Sequence, residues 1–330
     1  MTSLLARLRI DTFILLLVGT VLLASVLPAR GIGAAVASGA ADAGIVLLFF
    51  LHGARLSRQA VVDGARHWRL HLTTGAVTFV LFPLLGLAIW SLPVLTAPLR
   101  TGMLFLTLLP STVQSSIAFT AMARGNVAGA VCSAAFSNLA GIVLTPLLVA
   151  LLIGGPEAGD GAGGGISGGA VLTIVVQLLL PFMLGHLLQP RIGGWVAARR
   201  RMLTVVDRGS VLLVVYAAFS AAVVEGLWGR VSPADLLLIA GLSLGLLALV
   251  LGATALLGRL LGFTREDRVV LQFCGSKKSL ATGVPMAGVL FAAPEIGTVL
   301  LPVMIFHQLQ LMVCAVLAGH YARRANASAD

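Results

Sequence analysis

Long apolar runs, separated by short breaks that carry arginine, dominate the chain. Phe13 to Leu27, Thr73 to Trp90, Val127 to Ile153 and Leu236 to Leu257 are each almost free of charge. Each reaches or approaches the roughly 20 residues that cross about 30 Å of hydrocarbon as a helix. No strict two-residue alternation runs through them, which argues against a β-barrel. That leaves helices as the way to satisfy the backbone in lipid. The pattern predicts about ten membrane segments, near 12–28, 36–52, 70–90, 100–123, 127–153, 170–188, 209–226, 235–258, 268–292 and 297–320. The second is the weakest of them, because Asp42 and several glycines interrupt it.

Composition points the same way. Of 330 residues 58% are hydrophobic and 10% charged, whereas a soluble domain carries roughly a quarter charged residues. A net charge of +10 would suit nucleic acid, but its placement excludes that partner. With both termini cytoplasmic, the inside loops hold 17 arginines: Arg7, Arg9, Arg55, Arg58, Arg66, Arg69, Arg124, Arg191, Arg199, Arg200, Arg201, Arg208, Arg259, Arg265, Arg268, Arg323 and Arg324. The outside loops hold 3, Arg30, Arg100 and Arg230. This is the positive-inside rule obeyed loop by loop, and it requires an even number of spans. It suits the plasma (inner) membrane. The first apolar run lacks a small-residue cleavage site of the kind that ends a signal peptide, and Pro28 and Arg30 close it like a membrane boundary. Cys132, Cys274 and Cys314 lie within apolar runs without metal-ligand spacing and read as small buried hydrophobes.

Gly154 to Gly169 is Gly-rich, carries Glu157 and Asp160, and has no basic residue. It reads as a flexible extracytoplasmic linker at 154–169. It divides the chain into residues 1–153 and 170–330, each with five expected spans. Five is odd, so the halves enter the membrane in opposite senses, as in inverted-repeat transporters that bind cargo at the repeat interface.

Matching spans of the two halves, the fourth and the ninth, carry polar interruptions. The fourth holds Pro110-Ser111-Thr112-Val113-Gln114-Ser115-Ser116. The ninth holds Gly275-Ser276-Lys277-Lys278-Ser279, then Thr282-Gly283 and Pro285. Proline and glycine beside hydroxyls mark places where a helix can break and its freed backbone groups find partners. The bland alternative is that hydroxyls bond back to their own helix and proline only kinks it. Lys277 and Lys278 are the chain's only lysines. An intramembrane cation costs at least about 2.5–3.5 kcal/mol at a helix centre, so it should face a cavity or a partner. Neighbouring residues diverge by about 100° on a helix, so one of the two is expected inward and the other snorkelling to an interface. Asn138, Gln177, His186, His307, Gln308 and Gln310 are further polar residues within spans; His307 and Gln310 share a face at i, i+3. Such groups often serve as links between helices. Arg124-Gly125-Asn126 reads as a structural turn between the fourth and fifth spans.

These blocks carry a family resemblance. Pro110 to Asn126, continuing into Val131-Cys132-Ser133 and Asn138 to Pro146, resembles the bile acid:sodium symporter family, solute carrier family ten. Phe273 to Leu280 and Pro302 to Cys314 resemble its divergent SBF-like branch, which includes the mammalian seventh member. The resemblance covers nearly the whole chain. It implies ten helices in two inverted five-helix repeats. The first, second, sixth and seventh would form a panel domain, the rest a core, with helices four and nine broken and crossed near the midplane. Sodium-coupled members place a Ser-Asn pair before the first crossing and a carboxylate in the second broken helix. Here Ser116-Ile117 stands at the first place and Lys277-Lys278 at the second. The branch keeps a lysine at the second of those two positions, which favours Lys278 as the inward one.

An ammonium offers no acceptor to a metal ion and repels sodium. Lys278 is therefore expected to occupy sodium's place, held by Ser, Thr and Gln oxygens and by helix C-terminal carbonyls. Na+ coupling is thereby put in question, and H+ is the other candidate coupling ion; no cofactor is expected. The resulting reading is an all-α membrane transporter of a small organic anion, working by alternating access in the lipid bilayer. Ser111, Thr112, Gln114, Ser115 and Ser116 would line one crossing. Lys277, Lys278, Ser279 and Thr282 would line the other, with Asn138, His307 and Gln310 closing the site. A membrane sensor or regulator that keeps the fold is the alternative. With no carboxylate dyad, metal cluster or nucleotide loop, an enzyme is not expected.

Overall fold

The computed structural model describes residues 12–55, 67–154 and 175–327, and every regular element in them is helical. In chain order they are α1 (Thr12–Val26), α2 (Ile32–Arg55), α3 (Trp68–Trp90), α4 (Ala97–Leu108), α5 (Gln114–Met122), α6 (Val127–Leu152) and α7 (Leu180–Ala198, entered through a π turn at Val175–Leu179). Then follow α8 (Arg200–Val224), α9 (Leu227–Arg230), α10 (Pro233–Leu260), α11 (Arg265–Gly275), α12 (Leu280–Leu290) and α13 (Ala293–Ala327). Among the described residues six helices, α2, α3, α6, α8, α10 and α13, are long and apolar enough to cross a membrane. The chain is an integral membrane protein. The other expected spans take different forms. The first is the 15-residue α1, the sixth is the π turn with α7, and the fourth and ninth are each a pair of short helices. Both termini, and the 154–169 linker apart from Gly154, lie outside the described residues.

Helix ends move outward where polar residues follow an apolar run. α2 continues past His52 to Arg55, and α8 starts at Arg200 rather than at 209. Arginine stems can lie along apolar surface while their heads reach water, so a helix need not stop where hydropathy does.

Two compact units divide the described chain, each drawn from separated stretches. One comprises residues 12–55, 175–232 and 284–300, the other residues 67–154, 233–283 and 301–327. In the first unit α2 and α7 touch backbone to backbone. A Cβ on Gly53 would sit 2.0 Å from the Phe182 carbonyl oxygen, and one on Gly185 would sit 2.0 Å from that of Phe50. Lipid tails are as apolar as leucine, so helices in membranes associate through close packing of this kind. The buried stripe of α2 includes Ala37, Ala41, Gly44, Ile45 and Leu48, at the three- and four-residue steps of one helix face. Arg55 pairs with Asp207 of α8. Trp228 Nε1 donates to Ser25 Oγ at 3.0 Å, tying α9 to α1.

In the second unit α4 is central: Gly102 to Leu108 are all buried. α3 carries a π turn at Val77–Leu81. α6 passes close to the end of α4, where a Cβ on Gly141 would lie 2.7 Å from the Pro110 side chain. Arg124 closes α5 with a left-handed φ of 55°. Asn126 then caps α6, its Oδ1 accepting from Gly129 N at 2.9 Å while its Nδ2 donates to Asp267 at 2.8 Å. The Arg265 guanidinium donates to the carbonyls of Ala123 and Tyr321 at 3.3 and 3.1 Å. The α5–α6 turn is thus bound to the start of α11. Cys274 and Cys314 are buried, Cys132 partly so, and all three are free of disulfides.

Candidate functional site

A helix end leaves carbonyls without intrahelical partners, and away from water each must find another donor. Two such ends meet in the second unit. α4 stops at Leu108 and α5 starts at Gln114; α11 stops at Gly275 and α12 starts at Leu280. At the first break Thr145 Oγ1 donates to the Leu108 carbonyl at 2.8 Å. Ser279 N donates to that of Pro110 at 2.9 Å, and Asn138 Nδ2 to that of Ser111 at 2.9 Å. At the second, Ser276 Oγ donates to the Gln272 carbonyl at 2.5 Å, Ser116 Oγ to Phe273 at 2.9 Å and Ser111 Oγ to Cys274 at 2.5 Å. Hydroxyls from one break therefore satisfy the other.

The carbonyls left over hold a cation. Lys278 Nζ donates to Thr107 O at 2.8 Å, Leu109 O at 2.7 Å and Thr78 O at 2.8 Å. An ammonium has three N–H donors, and all three are used. Two acceptors stand at the C-terminal end of α4, where the helix dipole concentrates negative charge. The third comes from the π turn of α3. There Phe82 N bonds back five residues to Val77 O, and Pro83, the next in that register, has no N–H, which leaves the Thr78 carbonyl for the lysine. The Phe82 ring lies 4.1 Å from Nζ, a cation–π distance. Gln310 of α13 brackets the lysine backbone: Oε1 accepts from Lys278 N and Nε2 donates to Lys278 O, both at 2.8 Å. Gln310 Nε2 also donates to His307 Nδ1 at 2.9 Å.

This corrects the expectation that Ser, Thr and Gln oxygens share in holding the ammonium, since every acceptor is a backbone carbonyl. The physical reason is charge: the last carbonyls of α4 lack intrahelical donors and stand at the negative end of its dipole, while the Gln310 amide is committed to the Lys278 peptide. The snorkelling expected of one lysine is also corrected. Lys277 is 0% and Lys278 1% exposed. Lys277 points away from its neighbour, with Nζ 3.3 Å from Ser115 Oγ and 4.2 and 5.7 Å from the Phe119 and Phe273 ring centroids. Aromatic faces take the place of water around it. Among the described residues neither ammonium has a carboxylate partner.

The remaining expected residues join the same network. Ser115 Oγ donates to Thr112 Oγ1 at 2.9 Å, and Thr112 and Ser116 hydroxyls lie 2.8 Å apart. Thr282 Oγ1 donates to Asn138 Oδ1 at 3.0 Å and lies 2.9 Å from Ser279 Oγ. Gln114 alone stands apart, exposed at the first residue of α5. Gln177 and His186 belong to the first unit. Sequence reasoning missed Thr78, Thr107, Ser137 and Thr145, which act through carbonyls or through single hydroxyls inside apolar helices. Ser137 Oγ accepts from Ser111 N at 2.9 Å. No periodicity announces such roles.

Membrane-crossing helices around a buried cation, held where two helix interruptions meet, define a helical membrane protein with a polar centre. More narrowly, it belongs to the SBF-like CPA transporter family, whose profile matches residues 11–323. The uncharacterized protein PA2026 of Pseudomonas aeruginosa is 55% identical over 316 residues, 95% of this chain and 93% of that one. YfeH of Escherichia coli (strain K12), named as a putative symporter, is 52% identical over 317 residues, 96% of this chain and 94% of its own. Sodium/bile acid cotransporter 7 of Rattus norvegicus is 26% identical over 282 residues, 83% and 80% of the two chains.

Proposed function

We propose that the protein is a secondary transporter of a small organic anion, working by alternating access, with the Lys278 ammonium standing where sodium-coupled members hold their ion. One observation carries this reading: two buried ammoniums, neither with a carboxylate partner among the described residues, lie beside the meeting point of the two helix breaks. Lys278 has no donor to spare, so it contributes charge rather than contact. Lys277 has one weak hydroxyl contact and two ring faces, which leaves donors for a carboxylate, sulfonate or phosphate. A cage already filled by an ammonium has no room for sodium, so the cycle is coupled to H+ or to no ion.

In this reading the α4–α5 and α11–α12 pairs are the fourth and ninth of ten spans, crossed near the midplane. Residues 1–153 and 170–330 are inverted repeats about the linker at 154–169. The first unit is the panel and the second carries most of the core. Both termini are cytoplasmic and the protein sits in the plasma (inner) membrane. The bonds from Ser279 and Lys278 to the end of α4 support the crossing. The loop arginines support the orientation. Relatives named as a symporter and as a sodium/bile acid cotransporter support transport.

The test is uptake of labelled organic anions into proteoliposomes under imposed sodium or proton gradients. Proton-driven or uncoupled uptake is expected. Sodium-driven uptake overturns the lysine-for-sodium account, and absence of uptake across the panel turns the reading towards a membrane regulator.

A further inference from the structure

Within the first unit lies a cavity of about 210 Å³, walled by α2, α8, the end of α12 and the start of α13. Alanines make up much of its wall, so the space follows from short side chains on closely packed helices. Three polar side chains interrupt this lining: Ser38 and Asp42 on α2, and Ser220 on α8. Ser38 and Asp42 are four residues apart and share one face of the helix. Asp42 lies about 15 Å along α2 from its first residue, well inside a membrane-spanning helix. Among the described residues no ion pair or hydrogen bond engages its carboxylate. The Ser220 hydroxyl is buried and also without a partner.

A carboxylate at membrane depth is expensive unless something positive meets it. Polar groups buried without partners, as the Ser220 hydroxyl is, are rare enough in native proteins that each asks for an explanation. The cavity itself answers neither need, because no lysine, arginine or histidine lines it. Ser38 and Asp42 are exposed on the open side of the cavity, where a cation from outside the chain can reach them.

We propose that this cavity binds the primary ammonium group of a small amine. An –NH3+ brings one positive charge and three N–H donors. Asp42 supplies the opposite charge, and Ser38 and Ser220 supply two neutral oxygen acceptors. The alanine wall accepts a short alkyl chain. A quaternary ammonium has no N–H to donate and is recognised by aromatic faces; no aromatic side chain lines this cavity. One carboxylate and two hydroxyls are fewer oxygens than a bare alkali ion takes, so such an ion would have to keep much of its water here and gain little by entering. The inference concerns the first unit alone and holds whether or not the second unit handles anions.

The full chain in lipid nanodiscs, titrated with ethylammonium, tetramethylammonium and sodium chlorides at constant ionic strength, provides the test. Binding is read by thermal stabilisation for all three salts and by saturation-transfer NMR for the two ammoniums. Ethylammonium is expected to bind saturably, and tetramethylammonium and sodium weakly or not at all. Asp42→Asn should weaken ethylammonium by about tenfold or more, the loss of one charge-assisted bond. Ser220→Ala should weaken it by a smaller factor, and Asp42→Glu should retain binding. Absence of saturable ethylammonium binding, equal or better binding of tetramethylammonium or sodium, or an unchanged affinity in Asp42→Asn each overturns the proposal. If Asp42→Asn fails to fold, the selectivity of the unaltered protein and the Ser220→Ala variant decide it.

Discussion

Replacing Lys278 with methionine keeps the length of the stem and removes the charge and its three donors. Three buried carbonyls, those of Thr78, Thr107 and Leu109, then lose their partner. Each charge-assisted bond contributes about 1.5–3 kcal/mol, so the gross loss is roughly 5–9 kcal/mol. Against it stands the cost of burying an ammonium, several kcal/mol, which methionine avoids. The net expectation for Lys278→Met is a destabilisation of about 2–4 kcal/mol. The same change at Lys277 is the internal control, because that ammonium is equally buried but makes one 3.3 Å hydroxyl contact and two ring contacts. The desolvation relief is then similar and the loss much smaller, so Lys277→Met should be near neutral. Thermal unfolding followed with a thiol-reactive dye suits this chain, since Cys274 and Cys314 are buried until it opens. Lys278→Met should lower the apparent Tm by on the order of 5–10 °C, and Lys277→Met should leave it within about 2 °C. A Lys278→Met protein as stable as the unaltered one, or a greater loss at Lys277, would refute the carbonyl-cage account.

Three further outcomes follow from the same geometry. Lys278→Ala empties the cage while keeping its three carbonyl oxygens, so added ammonium or sodium chloride should raise its Tm more than it raises that of the unaltered protein; equal shifts would count against a cation-shaped cage. Asn126→Ala removes the α6 cap and the bond to Asp267, and should cost about 1–3 kcal/mol. A double-mutant cycle with Asp267→Ala should return a coupling of about 1 kcal/mol, and a coupling of zero would separate the two residues. Gly53→Ala or Gly185→Ala would drive a methyl group into a facing carbonyl and should abolish the monodisperse peak in size-exclusion chromatography. Gly19→Ala, where nothing lies within 4 Å, should leave that peak unchanged.

The site was partly legible in advance because its most unusual feature is chemical. Two lysines in an apolar segment, and a Pro-Ser-Thr stretch in another, violate the composition expected of lipid-embedded helices. A single strand of sequence carries that signal locally. The partners that resolve it are less visible. Thr107 and Thr145 sit in runs that look like any other apolar helix, and Asp42 could be read only as an interruption of the second span.

Hydropathy and charge placement are properties of one stretch of chain at a time, and they determined that this is a helical membrane protein with polar interruptions in two of its apolar segments. They also singled out the two lysines, because a cation in hydrocarbon is anomalous wherever the rest of the chain goes. Tertiary structure alone decided what each lysine touches. Every residue has the same backbone carbonyl, so no letter marks Thr78 as an acceptor for a lysine 200 residues away; the slipped register of a π turn, followed by a proline without an N–H, frees it. It decided which of the described glycines stand against a facing helix's backbone, since no letter separates Gly53 and Gly185 from Gly19 or Gly39. It also decided that Asp42 borders a cavity, because a cavity belongs to several helices together and to none of their sequences.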